Sequence, residues 1–136
     1  MNKSPKTIID EDIIELGLPI NPAYVSTARL TALSIANRMG FNIEDIEDIK
    51  AAVSEACTYL IKMHQLDKSI QNMFNIQFII KSNALDIMLT AEKIKFDNIY
   101  EEDGLGILMI EALMDYISLS SKDDANINIF MSKKLK

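Results

Sequence analysis

One carboxylate in this chain has room for a ligand beside it. Glu55 stands between Ser54 and Ala56, one helical turn before Tyr59. A carboxylate held near a substrate proton can act as a general base if its surroundings tune it. Most acids on helices do no chemistry, so spacing alone favours a solvated helix acid. A second place is Gly104-Leu105-Gly106, which opens an apolar helical pattern. Helix N-termini hold phosphate through free N–H groups and the dipole. A plain turn would use the same residues, but the chain has only 4 glycines and two of them fall here. The neighbouring Glu101, Glu102 and Asp103 would repel a triphosphate unless a metal intervened. Arg29 suits either a solvated helix face or an interface, where arginine is enriched. Cys57, the sole cysteine, lies on an apolar helix face and reads as a buried, inert thiol. His64 reads as a surface residue, since a lone histidine is seldom a site.

The stretch that must position Glu55 is Asp45 to His64. Its residues Ile46, Ile49, Val53, Ala56, Cys57, Leu60 and Ile61 follow the three-to-four spacing of a helix with one buried face. Asn42 is a suitable N-cap, and Asp45 can reach back to it as in a capping box. Before this helix, Asp12 to Ile20 alternates as a strand ended by Pro19. Asn21-Pro22 starts a helix that Gly40 stops. After it, Leu66 to Gln71 is a polar connection. Phe74 to Lys81 and Leu85 to Thr90 alternate around a Ser82-Asn83 turn, so a hairpin is predicted. Ala91 to Asp103 loses periodicity and reads as a long loop of the kind that forms lids. A largely buried helix over Ile107 to Asp115 follows, then a short strand over Tyr116 to Ser120. A turn at Lys122-Asp123-Asp124 leads to a final strand through Ile127, Ile129 and Met131. Lys133-Lys134-Leu135-Lys136 reads as a solvated end.

That order predicts an α+β fold: a two-layer sandwich with a mixed, mainly antiparallel sheet and helices on one face. The predicted core includes Ile46, Ile49, Val53, Leu60, Phe74, Ile76, Phe78, Ile87, Leu108 and Ile110. A length of 136 residues suits one domain, here 11–136, preceded by a flexible segment over 1–10. Apolar residues at 49% and charged residues at 25% fit a soluble globular protein. A net charge of −6 with no basic stripe argues against a nucleic-acid binder. No apolar run approaches a membrane span and no signal peptide is visible, so a cytoplasmic protein without membrane contact is expected.

Residues 51–64, AAVSEACTYLIKMH, resemble the segment AVSEACTNAIxHA of the serine-protein kinases that act as bacterial anti-sigma factors. These belong to the histidine-kinase-like (GHKL) ATPase superfamily. PAYVSTARLTALSIANRMGF before that segment and EDGLGILMIEALMD after it extend the resemblance over about residues 10–135. It implies the same order of elements and the histidine-kinase-like fold. It also implies that Glu55 matches the general base, that Gly104 and Gly106 match the glycines shaping a lid over the phosphates, and that the region of Arg29 takes part in partner binding. The partners implied are a sigma factor and an anti-anti-sigma protein, with a homodimer formed through the first strand.

Four positions depart from that pattern. Tyr59 replaces the asparagine whose amide oxygen is a Mg²⁺ ligand; a neutral phenol is larger and a poor ligand for so hard an ion. Ala91 replaces the aspartate that accepts from the adenine amino group, and Lys93 replaces a glycine beside the base. An unmade polar contact in a buried pocket costs about 1–3 kcal/mol. Met63 also replaces a histidine, with His64 following it. The expectation is a regulator that acts by protein contact, with vestigial Glu55 chemistry, no cofactor and impaired ATP binding. The alternatives are an active kinase using Mg-ATP on an anti-anti-sigma partner, and a structural subunit that dimerises with a genuine kinase.

Overall fold

Period-two patterns build the sheet. The computed structural model describes residues 11–65, 73–92, 104–120 and 126–136. Its strands are β1 (Asp12–Pro19), β2 (Met73–Ile80), β3 (Ala84–Glu92), β4 (Tyr116–Ser120) and β5 (Asn126–Lys134). They form one sheet in the order β1-β2-β3-β5-β4. Every neighbouring pair is antiparallel, so the expected mixed sheet is antiparallel among the described residues. Register aligns Ile14, Phe78, Ile87, Met131 and Ile117 in one row across the five strands. Leu16, Ile76, Leu89, Ile129 and Leu119 make the next. Phe78, Ile76, Ile87, Leu89, Ile129 and Met131 are fully buried at the centre of these rows.

Among the described residues, three α-helices complete the core: α1 (Val25–Met39), α2 (Ile43–Gln65) and α3 (Gly104–Leu113). Asn21 and Pro22 do start the first helical stretch, but as a 3-10 turn over Pro22–Tyr24. The Asn21 side chain accepts from the Ala23 N–H at 2.9 Å, and the α-helix proper begins at Val25. Gly40 ends α1 at φ 93°, a left-handed conformation that favours glycine. Its N–H donates to the Asn37 carbonyl and that of Phe41 to Ala36, which together make a Schellman motif. Asn42 caps α2 by accepting from the Asp45 N–H at 2.8 Å. The seven residues expected on the apolar face of α2, from Ile46 to Ile61, are all buried.

Four expectations need correction. β3 runs through Glu92, so Ala91 is not the start of a loop; it pairs with Ile127 of β5. α3 begins at Gly104 and ends at Leu113, which places the Gly-Leu-Gly sequence inside its first turn. Leu108 is not core but 59% exposed, and Met109 is 43% exposed, because α3 packs on α2 along one side only. Lys133 does not lie in a solvated tail. The ladder with β3 continues to Lys134, and alternation turns Lys133 inward with Ile127, Ile129 and Met131, leaving it 6% exposed. The segment 1–10, the 66–71 connection, the 93–103 loop and the 122–124 turn lie outside the described residues.

Candidate functional site

Glu55 sits half-buried in the middle of α2, and α3 brings Gly106 to it. A Cβ built on Gly106 would lie 3.5 Å from Glu55 Oε1. The carboxylate therefore faces the first turn of α3 at contact distance. Among the described residues, the fold places these two predicted site residues in contact. Gly104 begins the same helical turn, and Lys93 lies outside the described residues.

Tyr59 and Met63 follow Glu55 by one and two turns, and both are buried within the hydrophobic core. The phenol ring is therefore part of the packing of the domain. Ala91 is likewise buried, in the last pair but one of the β3–β5 ladder. Neither position offers the amide or carboxylate oxygen that a Mg²⁺ ion or an adenine amino group would use.

His64 is buried at 5%, which corrects the surface reading. Its Nδ1 lies 2.8 Å from the Leu60 carbonyl and its Nε2 2.6 Å from the Glu92 carbonyl. The ring thus ties the end of α2 to the end of β3, one residue past Ala91. Helical spacing carried the signal: His64 stands four residues after Leu60 and seven after Cys57, on the same apolar face.

Arg29 bridges two helices. Its Nη1 donates to Ser54 Oγ at 3.1 Å, and Ser54 Oγ donates to the Lys50 carbonyl at 3.0 Å. The guanidinium is half-buried next to the residue that precedes Glu55. Beneath it, burial pushes the Cys57 thiol up to about 12, while Arg29 pulls weakly the other way. The thiol is thus protonated at neutral pH, as expected for an inert cysteine.

Two polar clusters went unread in the sequence. Asp86 is buried although it alternates outward from the core; it accepts from Ser132 Oγ at 2.6 Å and pairs with Lys81 Nζ at 2.8 Å. That hydrogen bond, with the attraction of the carboxylate, raises the Lys81 ammonium above its ordinary value. The other cluster is formed by Lys133 with Asp45 and Asp48. Both depend on cross-strand or helix–sheet neighbours, so no local pattern marks them. No described helix is long and apolar enough to cross a membrane.

A family model described as the histidine kinase-like ATPase domain matches residues 18–133. Among curated proteins, a serine-protein kinase RsbW of Oceanobacillus iheyensis is 37% identical over 139 residues, covering 90% of this chain and 86% of that protein. The RsbW of Staphylococcus aureus strain MRSA252 is 36% identical, covering 93% and 89%. That of Bacillus velezensis is 30% identical, covering 91% and 86%.

Proposed function

Because this chain belongs to the histidine kinase-like ATPase domain family, we propose that it is an anti-sigma-type regulator that works by protein contact, with ATP binding impaired or lost. The observation that carries this reading is the burial of Tyr59 in the core at the position where the resemblance expects a metal-binding asparagine. A phenol packed among apolar side chains does not supply the small, hard oxygen ligand that Mg²⁺ requires. Ala91 supports the same reading from the sheet, since its methyl group has no acceptor for an adenine amino group. The residues present do not fit Mg-ATP as the family pattern would hold it. The partners that follow from the resemblance are a sigma factor and an anti-anti-sigma protein, contacted by a single-domain homodimer in the cytoplasm.

Two measurements test this together. The purified chain is mixed with sigma factors from its source organism, with and without Mg-ATP, and resolved by size exclusion. Co-elution in both conditions is expected. Thermal unfolding is then followed during a Mg-ATP titration. A ligand at a hundredfold excess over Kd adds about 2.7 kcal/mol, and no such shift is expected. Micromolar binding by calorimetry, or co-elution only with nucleotide, overturns the proposal.

The second reading is an active serine kinase of the anti-sigma type acting on an anti-anti-sigma partner. It is favoured by the approach of Glu55 to Gly106, which keeps an acid beside the first turn of α3. Nucleotide-dependent phosphate transfer to such a partner, abolished by Glu55→Gln, would move it ahead.

A further inference from the structure

α3 is held at one end by a side chain that belongs to neither helix. Lys133 of β5 points into the core and is only 8% exposed at its side chain. Its Nζ donates to the Leu113 carbonyl at 2.5 Å. Leu113 is the last residue of α3, so this carbonyl lacks the intrahelical partner that interior carbonyls have. The same Nζ lies 3.5 Å from Asp48 Oδ2 and 3.8 Å from Asp45 Oδ1, in the first turns of α2. One cation therefore stands between the negative end of one helix dipole and two acids at the positive end of another. A buried ammonium persists only where such partners surround it.

We propose that Lys133 is a positioning residue: it locks the C-terminal end of α3 to the start of α2 and so fixes where Gly106 meets Glu55. α3 packs against the core along one side only, through Ile107, Ile110 and Leu113. Leu108 and Met109 face solvent, while Ile110 is fully buried. Two hydrogen bonds attach the chain just after α3 to β5: the Asp115 N–H donates to the Ser132 carbonyl at 3.0 Å, and the Lys134 N–H donates to the Asp115 side-chain Oδ2 at 2.7 Å. Lys133 adds α2 to that attachment. Gly106 lies about 10 Å along the helix from Leu113, at 1.5 Å per residue, so a small pivot at the anchored end displaces the Gly106 turn. The lock holds with or without a nucleotide or partner, so it does not rest on the functional reading above.

The test uses the full chain without ligand. Lys133→Met strands Asp45 and Asp48 and risks unfolding the protein. The triple variant Lys133→Met, Asp45→Asn, Asp48→Asn removes the stranded charges, and Lys133→Arg keeps a cation. Amide hydrogen exchange is compared between Ile107–Leu113 and the central strands, and the Gly106 amide resonance is followed by NMR. In the triple variant, α3 exchange rises at least about tenfold relative to β2 and β3, and the Gly106 resonance moves. Lys133→Arg keeps both close to the parent. If α3 and the sheet loosen equally, or the Gly106 resonance stays in place, Lys133 contributes stability alone and the proposal falls.

Discussion

At the scale of single residues, the proposal of impaired nucleotide binding rests on Tyr59, Ala91 and Lys93, to which the resemblance assigns different roles. By that resemblance Tyr59 would bear on the metal, whereas Ala91 and Lys93 would bear on the base. Tyr59→Asn alone is therefore expected to leave Mg-ATP binding and turnover undetectable. The triple change Tyr59→Asn, Ala91→Asp, Lys93→Gly is the smallest set expected to recover binding. Calorimetry on the parent, Tyr59→Asn, the Ala91/Lys93 double and the triple checks this, and full binding by Tyr59→Asn alone would reject it. Cys57 gives a pH prediction. Burial holds its thiol at about 12, against an ordinary value of 9.0. Between those values the unfolded chain releases the proton and the folded chain keeps it, so stability falls as pH rises through that window. Urea unfolding from about pH 8 to about pH 10 should show a steeper loss in the parent than in Cys57→Ala. Equal slopes would show that the thiol is not buried in solution.

At the scale of elements, the strands repeat what their alternation announces, and α3 does not. Phe78 is the second residue of a five-residue cross-strand row, between Ile14 and Ile87, and is fully buried. Phe78→Ala should cost about 3–5 kcal/mol in denaturant unfolding. A loss below about 1 kcal/mol would mean a different register. Leu108 makes the contrast. At 59% exposure, Leu108→Ser should change stability by no more than about 0.5 kcal/mol. A nearly continuous apolar run cannot show which side of a helix is covered, because every side is equally apolar. The sequence therefore placed the helix but not its buried face.

At the scale of the molecule, β1 is an edge strand with Ile13 and Ile14 exposed at 54% and 40%. Beside it a groove of about 490 Å³ is lined by Asp12, Ile14, Ile35, Arg38, Met39 and Ile80. An open apolar edge of this kind invites pairing, and an isologous contact between two copies would close it. A homodimer is expected from light scattering at tens of micromolar, split by Ile14→Lys. A monomer mass for the parent counts against it.

Element order, the α+β class and the family can be read from the residues alone, because each follows from local period or from a contiguous motif. Glu55 and the Gly104–Gly106 pair were legible as separate candidates. Their meeting was not, since it requires α3 to lie along α2. Tyr59 could be read as a departure from a motif, but its burial depended on what packs around α2. His64, Asp86 and Lys133 were misread or passed over for one reason. Each is a polar residue with at least one partner on a distant element: the Glu92 carbonyl for His64, Ser132 for Asp86, and Leu113 with Asp45 and Asp48 for Lys133. Local spacing reports which face a residue shares with its neighbours. Only the tertiary structure decides whether that face meets water, apolar side chains or a partner that makes a buried polar group stable.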